Sequence, residues 1–350
     1  MKYPCFTKDE MKSIIEGKCA GNRIPTMYNF WCNPIIFGDK ETEARELTEV
    51  YPYDASVVNL NFPDVFKAPI DDENYRWVKK TQKESSIAIG LDSIIAIEDW
   101  DELDEVLENF PNPDYPNLIP KCPEDDGKYR LVNWWFCFFE RLWSLRGMEN
   151  ALTDFYLYPD EVHRLFDKLT EFYCRAMERA KVELHADGIF TSDDIGTQTG
   201  PFFSPEIFEE FFKPYYKRLF DKAHSLGMHF WLHTCGNIEP FIPTFIEIGL
   251  DVLHPIQKYT MNEVDIANKY GTQICIWAGF DVQQTIPYGT AEQVREEVRF
   301  MIDTYANKNG RFILTLGNGA TTDTPLASLK ALLEESYHYG ITKMKEINQV

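Results

Sequence analysis

The feature that most limits the fold of this chain is a repeated alternation. Short apolar runs rich in β-branched and aromatic residues recur along its 350 residues, and the later ones are each followed by a helical pattern. Eight runs stand out, at 24–31, 55–62, 129–136, 187–194, 228–236, 250–257, 272–280 and 311–319. The helices between them carry their own punctuation. Ser204 as N-cap with Pro205 and Glu206 opens one that Gly227 closes; Thr290 and Gly310 bracket a second; Thr324, Pro325 and Gly340 bracket a third. This alternation predicts an α/β fold with a parallel sheet. Eight repeats predict a (β/α)8 TIM barrel, read as a single domain over 1–350. The stretch 64–128 breaks the rhythm. A hairpin pattern at 75–80 and 85–90, followed by a proline-rich loop, predicts an insertion that forms a lid over the barrel mouth. A doubly wound open sheet is the rival, but no G-x-G-x-x-G or Walker sequence follows any of the runs.

Charge narrows the ligands. With 35 Lys and Arg against 56 Asp and Glu, the net charge is −21, which repels phosphate backbones and excludes nucleic acid as a partner. No apolar stretch approaches the ~18 residues of a membrane span, and the N-terminal residues lack a continuous apolar segment, so a cytoplasmic protein is expected. Eight cysteines are scattered without a C-x-x-C pair, a pattern of reduced thiols. The aromatic content of 15% supplies a bulky core and candidate walls for a flat ligand.

In a barrel of this kind chemistry sits at the C-terminal strand ends. Those ends carry Asn29, Trp31, Asn59, Asn61, Asp64, Asn133, Asp193, Asp194, His233, Cys235, His254, Gln257, Asp281, Gln283 and Asn318. Asn and Asp also serve as turn formers, but so many polar residues ending apolar runs predict a pocket floor. His233 and Cys235 lie two apart in "FWLHTCGN", on one face of a strand. Three readings stay open on spacing alone: a zinc clip of imidazole and thiolate, two packed core residues, or a nucleophilic Cys–His pair.

The segment "FWLHTCGNIEPFIPTFIEIGLDVLHPIQ" (230–257) resembles the H-x-C-G-N segment of the uroporphyrinogen decarboxylase superfamily, specifically its corrinoid-dependent methyltransferase branch. "FERLWSLRGMENALTDFYLYPDEVHRLFDKL" (139–169), "SPEIFEEFFKPYYKRLFDKAHSLGM" (204–228), "GTAEQVREEVRFMI" (289–302) and "RFILTLGNGATTDTPLASLKALLE" (311–334) resemble the same superfamily, over roughly 130–345. The resemblance implies a TIM barrel and one of two activities. The decarboxylases bind a substrate with many carboxylates through an Arg-rich N-terminal motif; here "NRIPTMYNFWCNP" offers Arg23 alone. The methyltransferases hold zinc with the His and Cys of H-x-C and a Cys near the last strand. His233 and Cys235 match, but Asn318 stands where that Cys is expected. An oxygen ligand from Asp194 or Asp193 is the favoured replacement, and Gln257 stands where some relatives carry an acidic residue.

An oxygen donor makes the metal a harder Lewis acid, suited to an ether oxygen. The expected function is therefore O-demethylation: a zinc-dependent methyltransferase moving a methyl group from a methoxylated, aromatic small molecule to a corrinoid on a separate protein. Metal ligands are expected at His233, Cys235 and Asp194; catalytic groups at Asp193, Asp194 and His254; substrate contacts at Tyr28, Trp31, Asn61, Trp134, Gln257, Trp277, Asp281 and Asn318. Assembly stays open, with a homodimer as the working expectation. Two alternatives are kept. One is a metal-free decarboxylase or lyase relative in which Asp193, Asp194 and His254 do acid–base work. The other is a non-catalytic small-molecule binding barrel.

Overall fold

A computed structural model describes residues 2–79 and 95–349, and in it seven strands form one parallel sheet in sequential order. They are β1 (Ala55–Asn59), β2 (Tyr129–Asn133), β3 (Gly188–Ser192), β4 (His229–His233), β5 (Val252–His254), β6 (Cys275–Phe280) and β7 (Phe312–Leu316). Each of the last seven predicted runs contains one of them. The first run does not become a strand and yields a single bridge, Thr26 to Leu314. Pro25 has no N–H with which to extend a ladder, and the chain turns into a 3-10 helix at Tyr28–Phe30. The run still reaches both sheet edges. The Met27 N–H donates to the Leu314 carbonyl (2.9 Å), the Leu314 N–H to the Pro25 carbonyl (2.9 Å) and the Asp54 N–H to the Thr26 carbonyl (3.1 Å). It occupies the gap between β7 and β1 and completes the (β/α)8 ring.

A barrel this small must fill its own interior. Phe190 of β3, Trp231 of β4 and Trp277 of β6 do so, fully buried, with Trp277 edge-on to both others at centroid distances of 5.2 Å. Below them, at the entry ends of the strands, Arg23 grips both oxygens of Asp54 (2.7 and 2.8 Å), which also accepts the Phe6 and Thr26 N–H groups. Arg23 is therefore a buried strut opposite the mouth.

The helix punctuation holds in part. The Ser204 hydroxyl accepts the Ile207 N–H, and Thr290 and Gln293 form a reciprocal cap. The helix Ala291–Tyr305 stops short of Gly310, and the helix Leu326–Gln349 runs straight through Gly340. A Cβ on Gly340 would lie 3.4 Å from Ile24, so this glycine lets the last helix approach the segment that closes the barrel.

In the 64–128 stretch, Trp77 N–H and Val78 N–H donate to the Asp64 and Val65 carbonyls, and the other arm of the predicted hairpin, 85–90, lies outside the described residues. The described part leans on the flanking helices. Trp77 and Phe110 pack on Phe172, and Arg179 donates to the Pro113 and Tyr115 carbonyls. Among the described residues, no helix is long and apolar enough to cross a membrane.

Candidate metal centre

Strand register assembles the site. Ser192, His233 and His254 are direct neighbours across β3, β4 and β5. Their side chains therefore start from one level, and the residues that follow them turn into the mouth. His254 Nε2 lies 2.9 Å from the Leu316 carbonyl, so that nitrogen carries the proton and donates. His254 Nδ1 is then an acceptor, and at 2.7 Å it receives the N–H of His233 Nδ1. This relay leaves a lone pair on His233 Nε2, the tautomer a metal ligand needs. Burial lowers the pKa of His233, with Asp194 opposing, and lowers that of His254 well below the ordinary range, with His233 adding to it. Both rings are neutral near pH 7. Trp31 lies flat on His254, 4.9 Å between centroids and 6° between planes.

The free His233 Nε2 looks onto Cys235 Sγ at 3.3 Å and Asp194 Oδ1 at 3.5 Å. All three ligand atoms lie within 4.8 Å of one another. Ligand atoms around a tetrahedral zinc, with bonds of about 2.0–2.3 Å, sit about 3.3–3.8 Å apart. The two separations from His233 Nε2 fall in or near that range, and nitrogen, sulfur and oxygen are donors that zinc accepts. Asn318 Nδ2 is 4.0 Å from Cys235 Sγ, so the amide does stand beside the cluster.

Two glycines hold the cluster together. A Cβ on Gly236 (φ +86°) would come within 2.2 Å of Gly196, and one on Gly196 within 2.7 Å of the Cys235 carbonyl. The turns after β3 and β4 thus touch backbone to backbone, which sets Asp194 against Cys235. The Cys235 N–H donates to Asp194 Oδ1 (2.7 Å), and the Gly236 N–H to Gln257 Oε1 (2.5 Å). Burial pushes the Cys235 thiol up, and the Asp194 and Glu140 carboxyls push it further. Burial of this kind favours the protonated thiol unless a cation joins it, which counts against the activated-nucleophile reading.

The other expected residues divide into three groups. Gln257, Asp281 and Asn318 meet beside Cys235 around a small hollow of about 50 Å³ that Lys258 and Phe280 also line. Asp281 is in addition the cap of the next turn. It accepts the Gln283 and Thr285 N–H groups and the Tyr259 hydroxyl, and these bonds outweigh its burial to hold its pKa low. Trp31 and Trp277 stand behind the histidines, with Trp277 4.5 Å from His254 between centroids. Tyr28, Asn61 and Trp134 are elsewhere. The Tyr28 hydroxyl bonds Ser336, Asn61 donates to the Asn117 carbonyl, and Trp134 stacks on Phe62.

Asp193 is not in the cluster. Its oxygens accept the Phe138 N–H, the Glu140 N–H and the Tyr216 hydroxyl, which ties down the start of the helix Phe139–Arg146. Burial raises its pKa to about 6 against those bonds. Sequence reasoning missed Glu140, a buried carboxyl bonded to the Ser192 hydroxyl and facing Asp194. Burial, with Asp194 and Asp193 beside it, raises its pKa well above the ordinary range. The signal was present: one acid inside the apolar run "FCFFERLW".

The uroporphyrinogen decarboxylase (URO-D) family matches residues 142–339, more than half of the chain. The chain belongs to the uroporphyrinogen decarboxylase family. The curated relatives that it resembles are named methylcobamide:CoM methyltransferases. The chain is 28% identical over 182 residues to the methylcobamide:CoM methyltransferase MtbA of Methanosarcina mazei, and 26% identical over 178 residues to MtbA of Methanosarcina acetivorans. Each match covers 51% of this chain, and the chain spans about half the length of the curated relatives it matches (50% and 49%). Among solved structures, a methyltransferase from Methanosarcina mazei superposes with a TM-score of 0.58 at 15% identity, over 95% of this chain and 98% of that one. That likeness establishes the fold shared by the two.

Proposed function

We propose that this barrel is a zinc-dependent methyltransferase that takes a methyl group from a methoxylated aromatic molecule and passes it to a corrinoid on a separate protein. The observation that carries the reading is the Asp194–His233–Cys235 cluster, with a neutral amide, Asn318, beside it in place of a second thiol. His233, Cys235 and Asp194 are assigned as the zinc ligands. Zinc held there would supply a Lewis acid for an ether oxygen, a task that a nitrogen, sulfur and oxygen donor set favours over thiol activation.

The chain's own groups have distinct tasks in this reading. His254 fixes the tautomer and aim of His233. Gln257 holds the Gly236 turn, and through it the Cys235 loop. Asp281, Asn318 and Lys258 offer polar contacts around the hollow, and Trp31 keeps water from the back of His254. We take 64–128 as an insertion on a single barrel domain. We assign the corrinoid to a partner protein, since none of these 350 residues carries the D-x-H-x-x-G sequence that would hold cobalt.

The curated relatives favour a second reading, in which a methylcobamide gives its methyl group to a thiol. One assay separates the two. The zinc-loaded protein is mixed with methoxyarenes and cob(I)alamin, or with methylcobalamin and a thiol, and the cobalt spectrum is followed. Formation of methylcobalamin from a methoxyarene is expected. Loss of the methyl group only to the thiol would establish the second reading and overturn the first.

A further inference from the structure

We infer that Asn237 is a positioning residue for the metal cluster: its side chain ties the turn after β5, which carries no ligand, to the two turns that carry Asp194 and Cys235. The effect on the metal rests on the metal-centre reading; the bonds themselves do not. Asn237 closes the H-x-C-G-N segment, directly after Gly236. Its backbone N–H donates to the Thr197 carbonyl on the turn after β3 (2.7 Å). Its side-chain nitrogen donates to the Thr260 carbonyl on the turn after β5 (3.0 Å), and its side-chain oxygen accepts the Glu239 N–H (3.2 Å). One residue thus joins the turns that follow three adjacent strands. The position calls for a short side chain with both a donor and an acceptor, which an amide has and a carboxylate lacks.

The turn after β5 needs such a tie. Ile256 and Tyr259 both hold positive φ, 54° and 66°. That region disfavours any side chain, a β-branched one most, and the conformation persists only where its surroundings over-determine it. Four consecutive residues supply the restraint. Gln257 Oε1 accepts the Gly236 N–H (2.5 Å), Lys258 pairs with Glu263 (2.9 Å) and Glu297 (3.1 Å), the Tyr259 hydroxyl donates to Asp281 (2.9 Å), and the Thr260 carbonyl accepts Asn237. The Thr260 N–H and hydroxyl also donate to the Gln257 carbonyl (3.3 and 2.8 Å). These bonds close a circuit that runs from Gly236 to Gln257, on to Thr260, and back through Asn237.

The Cys235 turn forms one side of that circuit. The Gly236–Gly196 contact has the Cys235 N–H bond to Asp194 on one side and the Asn237 N–H bond to Thr197 on the other. Cutting the Asn237 side-chain bond frees the turn after β5 to relax from its positive φ. The remaining Gln257 bond then pulls on Gly236 instead of bracing it. Cys235 Sγ loses its fixed place, while His233 keeps its own through His254. Gln257 and Lys258 line the hollow beside Cys235, so the same clamp sets where that wall stands relative to the metal ligands.

The test compares Asn237→Asp, which keeps the size and the acceptor and loses the donor, with Asn262→Ala, which removes a helix cap just beyond the turn and leaves the clamp whole. Asn237→Ser, whose shorter side chain adds no charge, should behave as Asn237→Asp does. Zinc affinity, by competition with a chelator, should fall about ten- to a hundredfold in both Asn237 variants and stay within about twofold of wild type in Asn262→Ala. Cobalt(II) loaded in place of zinc should show shifted thiolate-to-metal and ligand-field bands in the Asn237 variants alone, a change that lost stability by itself does not produce. In wild type, zinc should slow amide exchange at Thr260 as well as at Cys235 and Gly236, although the turn after β5 supplies no ligand; this readout survives if a variant does not fold. Wild-type affinity with an unchanged cobalt spectrum in the Asn237 variants, or zinc protection in wild type that stops at the two ligand-bearing turns, would overturn the clamp. If wild type takes up neither metal, the metal centre falls and exchange alone judges the clamp: faster exchange at Thr260 and Gly236 together in metal-free Asn237→Asp upholds it, and any other pattern overturns it.

Discussion

Zinc affinity should rise about tenfold for each unit of pH between roughly 6.5 and 8.5. The reasoning starts from the Cys235 thiol, which burial and the Asp194 and Glu140 carboxyls push up. In the metal-free chain it keeps its proton through this window, yet the ligand form is the thiolate. Each zinc bound must release that proton. His233 releases none, because burial lowers its pKa and the His254 relay already leaves Nε2 bare. One proton per metal is a slope of about one in log K against pH, or about 1.4 kcal/mol per unit. The assay is competition against a chromophoric chelator at fixed ionic strength, corrected for the chelator's own protonation. A slope near two would mean that Glu140 also loses its proton to the ion, and would extend the cluster. A flat profile in wild type, or an unchanged slope in Cys235→Ser, would refute the assignment of the thiol as a ligand.

Adjacent carboxylates should behave differently. Asp194→Asn should lose zinc affinity by at least about tenfold at little cost in stability, whereas Asp193→Asn should keep zinc and alter folding. The Asp193 value of about 6 lies above its ordinary 3.8, so its stabilising contribution is full below pH ~4 and is lost as pH rises through about 6. The stability advantage of wild type over Asp193→Asn, from urea titrations, should shrink by about 3 kcal/mol across that range; a constant difference would contradict this. Gly236→Ala should cost about 2 kcal/mol or more, from a positive φ and a clash with Gly196, and should lower zinc content with it. Retained zinc at wild-type stability would show that the two turns need not touch. Arg23→Met should cost about 3–5 kcal/mol by leaving Asp54 buried and unpaired, while the ranking of substrates is unchanged; a changed ranking would place Arg23 in the substrate path.

The barrel was readable because its signal is periodic. Seven of eight apolar runs became strands, and the eighth was shortened by a local cause, Pro25, that the sequence displays. Gly340 was misread because a glycine admitted for close packing and one that ends a helix look alike until the neighbour, Ile24, is known. In the site, the spacing of His233 and Cys235 was legible, but it left a metal clip, packed core residues and a Cys–His pair open, and Cys235 lies in the turn just after β4 and not on the strand. The choice between Asp193 and Asp194 was not legible. Adjacent residues leave a strand end in opposite directions, and only the fold shows which one faces His233 and which one ties down a helix. Glu140 escaped notice because it sits on a helix, not at a strand end, and reaches Ser192 and Asp194 through tertiary packing. The aromatic residues were the least legible. Trp31, Trp134 and Trp277 carry the same composition signal, but one covers a histidine, one packs on Phe62 and one fills the barrel.

The most direct measurement is the zinc content of the purified, reduced protein by elemental analysis, beside Cys235→Ala prepared in the same way. The expected result is about one zinc per chain in wild type and its loss in the variant, with both folded. A folded wild type that takes up no zinc when it is supplied, or a variant that keeps its full complement, would contradict a metal centre built on Asp194, His233 and Cys235.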